Sequence, residues 1–107
     1  MNIDLELLED FLSESNDILT EMDLLVENYK TEQDTDKLFK LFHKLLGMSG
    51  FLDLPDIQKL CQDGQKLLFP NKDKTLDAND LKSVKLIFLN LKNGFEKLSS
   101  QVTIQKN

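Results

Sequence analysis

The chain has 107 residues, 40% of them apolar and 30% charged, with a net charge of −6 and a single cysteine, Cys61. That length is one small domain with one core, and a lone cysteine excludes an internal disulfide framework and a cysteine zinc site. The 13 basic residues are all lysines and form no basic patch, which disfavours nucleic acid and anionic membrane surfaces as partners; with no apolar run of about 18 residues and an acidic start, neither a span nor a signal peptide is expected, and the cytoplasm is the default location.

Apolar residues at three-four spacing predict a first helix from about Asp4 to Tyr29, through Leu8, Phe11, Leu12, Ile18, Leu19, Met22, Leu25 and Val26. Asn2 or Asp4 is the expected cap, and Glu6, Glu9 and Asp10 suit the positive end of the helix dipole. The polar connector Lys30–Asp34 leads to a second helix that begins near Asp34 or Thr35, both good caps, and runs to about Phe51. Its inner side carries Phe39, Phe42, Leu45, Leu46 and Ser49. Asp53-Leu54-Pro55 is a short break, with proline welcome at the first helical position.

The third helix carries Ile57, Leu60, Cys61, Gly64, Leu67 and Leu68 and should stop at Phe69-Pro70. Asn71 to Thr75 is a loop by composition. A fourth helix then runs from Asp77 or Asn79 to about Lys97 or Leu98, through Leu81, Val84, Phe88, Leu91, Phe95 and Leu98, with Gly94 a weak point. Residues 99–107 are expected to be a frayed polar tail or the start of a linker, and residues 1–98 the domain. Alternation that would mark strands is absent. The expected fold is all-α, an antiparallel up-down-up-down four-helix bundle.

His43 is the only histidine, and it sits on the second helix beside two of the chain's four glycines. At about 100° per residue, Gly47 and Gly50 fall within about 40° of it. Each glycine inside a helix costs about 1 kcal/mol relative to alanine. The strip therefore points to a close approach, by a packed neighbour helix or by a docking partner that uses the ring. Helix counting turns His43 away from Phe42, Leu45 and Ser49, so the ring should be at least partly exposed. A neutral imidazole is a nucleophile at neutral pH, best when its second nitrogen is held by an acceptor. Lys40 and Lys44 are close enough in sequence to pair with a phosphoryl group on the ring. The plain alternative is a surface histidine with no role. A lone histidine without a second ligand is a poor metal site. No nucleophile elbow accompanies Ser49, and no glycine-rich phosphate loop appears.

The run Phe39-Lys40-Leu41-Phe42-His43-Lys44-Leu45-Leu46-Gly47-Met48-Ser49-Gly50 resembles the F-R-x-x-H-x-x-K-G-x-x-G core of histidine phosphotransfer domains. The likeness is greatest to the N-terminal phosphotransfer domain of CheA-type chemotaxis kinases, whose first helix the stretch Leu8-Glu9-Asp10-Phe11-Leu12-Ser13-Glu14-Ser15 also resembles. The resemblance spans about residues 4 to 98. It implies that His43 accepts a phosphoryl group from a histidine kinase catalytic domain and passes it to an aspartate of a response-regulator receiver. It implies a docking face around Phe39, Leu46, Gly47 and Gly50. It also implies a carrier rather than an enzyme, a monomer, no cofactor of its own, and Mg²⁺ and ATP held by partner domains.

Three positions depart from that pattern. The family's lysine three residues after the histidine is Leu46 here. The second histidine and the glutamate of CheA-type third helices correspond to Gln62 and Gln65. The amide oxygen of Gln65 is expected to accept the ring N–H, but without the charge that about doubles such a bond, so the histidine should be less activated. The competing reading is a degenerate relative that binds a kinase or a receiver as a scaffold without being phosphorylated.

Overall fold

The computed structural model describes residues 5–106, and side chains as far as Thr103. The caps expected at Asn2 or Asp4 lie outside the described residues. Four α-helices account for most of the chain: α1 (Leu5–Glu27), α2 (Glu32–Phe51), α3 (Pro55–Leu68) and α4 (Ala78–Lys106), with one 3-10 turn at Phe69–Asn71. No strand occurs among the described residues. Each helix packs on the next in the chain, and α1 meets α4 to close the ring of contacts around one core.

The core is built by a three-four rhythm on every helix. On α1 the buried positions are Leu8, Phe11, Ser15, Ile18, Met22 and Val26, and on α2 they are Thr35, Leu38, Phe42, Leu45 and Ser49. The α2 stripe differs from the sequence expectation. Leu38 and Thr35 are inside, while Phe39 and Leu46 are only half-buried. Ile57, Cys61, Gly64 and Leu68 complete it from α3, and Val84, Phe88, Leu91, Phe95 and Val102 from α4.

Two helix ends differ from expectation for identifiable reasons. The second helix starts at Glu32, with Thr31 as its N-cap rather than Asp34 or Thr35. Asp34 instead reaches back from the third helical position, and its carboxylate accepts N–H groups of Lys30 at 2.8 Å and Thr31 at 3.1 Å, the reciprocal half of a capping box. These two bonds, Lys30's first, hold its carboxyl below the ordinary value of 3.8. The fourth helix does not fray at Leu98 but continues to Lys106, and Val102 is 6% exposed. The spacing Leu91, Phe95, Leu98, Val102 simply carries on through Gly94, and no glycine or proline follows it to stop the helix. Asp53, in the break between α2 and α3, takes a left-handed φ of 54°, a conformation that Asp and Asn tolerate better than other side chains.

The most extensively packed helix pair is α2 and α3, and one residue limits how they meet. A Cβ on Gly64 would lie 2.4 Å from Cε1 of Phe42, whose ring is fully buried. The bare backbone of α3 is the surface on which that ring rests. His43 and Gln65 are the residues next in sequence to this contact, so it also sets the distance between them.

A polar cluster fixes the segment that follows α3. The Tyr29 and Thr35 hydroxyls hydrogen-bond each other. Thr35 Oγ1 meets the Lys74 carbonyl oxygen at 2.8 Å, and the Leu76 N–H donates to Tyr29 Oη at 2.7 Å. Asn71 Nδ2 donates to the Leu67 carbonyl at 3.0 Å, and the Lys74 N–H to that of Asn71 at 2.8 Å. The loop expected at 71–75 is therefore held at both ends, against α3 and against the α1–α2 turn.

Candidate functional site

His43 stands exposed on α2, in agreement with the helix count. Its ring touches α3 through one polar contact, Nδ1 to Gln65 Nε2 at 3.0 Å. No other hydrogen bond to the ring is made among the described residues. The expectation from sequence had the amide oxygen of Gln65 facing the ring; here the amide nitrogen does. An N–H donated to Nδ1 places the ring proton on Nε2, because a neutral imidazole has one donor and one acceptor nitrogen. Gln65 Oε1 is buried and has no hydrogen-bond partner. A half-turn of the amide about its last side-chain bond, with the ring proton shifted to Nδ1, brings that orphaned oxygen onto Nδ1–H and leaves the lone pair on Nε2, which has no hydrogen-bond partner among the described residues.

Phe39 lies one turn before His43, with ring centroids 6.2 Å apart and planes at 19°. On its other contact Phe39 meets Phe69 at 5.7 Å. The ammonium of Lys72 sits over both rings, 4.9 Å from the Phe69 centroid and 5.7 Å from that of Phe39. Phe39 is thus half-buried and engaged within its own fold by His43, Phe69 and Lys72. Lys40 is turned to Asp36, with a 3.0 Å ion pair. Lys44 is exposed and makes no ion pair among the described residues. Leu46, Gln62, Gln65, Lys66, Phe69 and Pro70 line a shallow groove between α2 and α3 beside the histidine.

The two glycines of the strip differ from each other. A Cβ at Gly47 would meet nothing within 4 Å, and one at Gly50 would meet only the flexible end of Gln58 at 3.3 Å. Close packing inside the molecule therefore does not account for Gly47. Its backbone is exposed and borders a second groove, lined by Leu7, Asp10, Glu14, Met48 and Phe51 among others.

The family model for the Hpt domain matches residues 6–101. The chain belongs to the Hpt domain family. No curated protein and no solved structure matches it. Membership implies histidine phosphotransfer in phosphorelay signalling, and His43 is the one histidine that an Hpt domain of this sequence can offer.

Several residues around this Hpt histidine are not marked by the sequence. Lys72 comes to the site from a segment that looks like a loop, one whose far end is tied to Thr35 and Tyr29 through Lys74 and Leu76. Phe51 is 85% exposed and Leu7 45% exposed, yet both continue apolar patterns that suggest burial. Both lie near helix ends, where no other described residue covers them. The helix stripe does announce Gln65, because Cys61, Gly64 and Leu68 are inside and Gln62, Gln65 and Phe69 fall together on the adjoining face.

Proposed function

We propose that this Hpt domain takes a phosphoryl group onto Nε2 of His43 from a histidine kinase catalytic domain and passes it to a receiver aspartate. The observation that carries the reading is the contact of Gln65 with Nδ1, which leaves Nε2 the free nitrogen of an exposed ring. With the amide oxygen turned to Nδ1–H, the Nε2 lone pair forms the N–P bond. The bond from the γ-phosphorus to the bridging oxygen of ATP breaks as it forms, and ADP leaves with that electron pair. Nδ1 keeps its proton, and the ring carries the positive charge. In the second transfer the aspartate carboxylate attacks phosphorus, and neutral imidazole leaves. Mg²⁺ and ATP belong to the partners, which supply the positioning such a transfer needs; the domain itself is a carrier.

An amide at position 65 holds the tautomer without charge, so the transfer onto the ring should run more slowly than with a carboxylate there. The open backbone at Gly47 supports docking on the α1–α2 side of the ring. The helices are taken to run antiparallel, up-down-up-down, with the domain a monomer in the cytoplasm and a CheA-type chemotaxis kinase its parent or partner. Incubation with a histidine kinase catalytic core, Mg²⁺ and labelled ATP tests the reading, with His43→Gln alongside. Label confined to the wild type, lost in acid and stable in base, is expected. No label from several such kinases, with receiver binding intact, would favour the unphosphorylated scaffold.

A further inference from the structure

We propose that Lys72 supplies the cation that holds the phosphoryl group on His43, in the place left empty by Leu46. The inference rests on the phosphotransfer reading of His43 and adds a residue to it. A phosphoryl group on an exposed ring presents two or more anionic oxygens, and a charge-assisted N–H bond is the strongest contact a side chain can offer them. Position 46 is a half-buried leucine that lines the α2–α3 groove. Of the lysines nearest His43 in sequence, Lys40 is held by Asp36 at 3.0 Å. Lys44 begins about 100° round the helix from the ring.

Lys72 has neither problem. Its ammonium lies 5.7 Å from the Phe39 centroid, and Phe39 is stacked on His43 at 6.2 Å. The ammonium is therefore no farther from the imidazole than those two steps combined, and it sits on a flexible four-carbon stem. It makes no ion pair among the described residues. Its present hold is on the faces of Phe39 and Phe69, an attraction weaker than that of a dianion at a partly exposed site. The backbone beneath it is fixed. The Lys72 N–H reaches the Phe69 carbonyl, Lys74 is tied to Asn71 and to Thr35, and Leu76 to Tyr29. Lysine 72 is thus a poised arm on an anchored base. The aromatic rings park the ammonium, and the arm swings to the phosphoryl oxygens when the group arrives.

Phosphoramidate serves as the test donor, because it is small and needs no docking face. The Nε2 lone pair forms the N–P bond, the P–N bond of the donor breaks, and ammonia leaves with its electron pair. The initial rate of His43 labelling is measured for the full chain, for Lys72→Met, which keeps the apolar stem over the rings, and for Lys72→Arg, which keeps the charge. Lys44→Met and Lys66→Met are run beside them, and thermal unfolding of each variant is recorded. We expect Lys72→Met to label about tenfold more slowly than wild type with an unchanged melting temperature, and more slowly than either Lys44→Met or Lys66→Met, with Lys72→Arg within about threefold of wild type. Added salt should slow the wild type and leave Lys72→Met unaffected. Wild-type labelling with an equal rate for Lys72→Met overturns the role of Lys72 and leaves the phosphotransfer reading standing. A loss seen instead in Lys44→Met or Lys66→Met overturns it as well. Absence of label on wild-type His43 removes the shared premise, and the Lys72 role falls with it.

Discussion

Replacing Gly64 with alanine would place a methyl carbon 2.4 Å from Cε1 of Phe42, with two further ring atoms within 2.8 Å. Carbon atoms in contact prefer about 3.5–4.0 Å, so the shortfall is roughly 1 Å or more. Phe42 is fully buried, so its ring is enclosed by the core and cannot turn out to solvent. The strain must then go into separating α2 from α3. Overpacking of this kind costs about 1–3 kcal/mol, and a clash with several ring atoms belongs at the upper end. Alanine returns about 1 kcal/mol of helix propensity. The net expectation is a loss of about 2 kcal/mol, which for a domain of this size lowers the melting temperature by about 10 °C. Circular dichroism during heating and in urea measures it. Gly47→Ala is the matched control, since its Cβ meets nothing; there the propensity term stands alone and stability should rise by up to about 1 kcal/mol. A Gly64→Ala protein as stable as wild type would refute the argument that this glycine sets the α2–α3 distance.

Three further predictions follow from the described contacts. Tyr29→Phe removes the acceptor of the buried Leu76 N–H and the partner of Thr35; a loss of about 1–3 kcal/mol in urea denaturation is expected, and faster amide exchange at Leu76 and Lys74 should accompany it. Asp34 titrates below its ordinary value because Lys30 and Thr31 donate to it. Its contribution is therefore complete above the unfolded carboxylate value and is lost as pH falls through the lower folded one, so Asp34→Asn should flatten the acid limb of stability below about pH 4, while an unchanged limb would contradict the back-bonded cap. Burial pushes the Cys61 thiol up to about 12, and the side chain is fully covered. Thiol-reactive probes at pH 8 should label it only at the rate of unfolding, and rapid labelling of the native chain would show that α3 opens locally.

The helical periods were plain in the sequence because burial and spacing coincide, as at Leu91, Phe95 and Leu98, and they hold through Val102 where polar composition suggested an end. His43 was legible for the opposite reason: a lone ring on the polar side of an apolar helix has no packing to explain it. Cap choice was less clear, since Thr31, Asp34 and Thr35 are all good caps, and the fold uses Thr35 as a buried hydroxyl that anchors a distant loop. The meaning of the glycines was divided between two helices in a way that spacing does not reveal. Gly64, which looks like one small residue in a core stripe, carries the close packing, and Gly47 carries none. Lys72 was invisible, because its place beside Phe39 depends on hydrogen bonds between residues up to 47 positions apart.

The most direct test of the account is to map the phosphoryl group after reaction with a histidine kinase catalytic domain and Mg²⁺-ATP, by mass spectrometry of peptides kept alkaline, with nitrogen NMR of the intact domain to identify the ring atom. The account predicts one acid-labile group on His43, bonded at Nε2, with Nδ1–H retained against Gln65. Phosphate at Nδ1, or on a serine or aspartate with His43 unmodified, would contradict it.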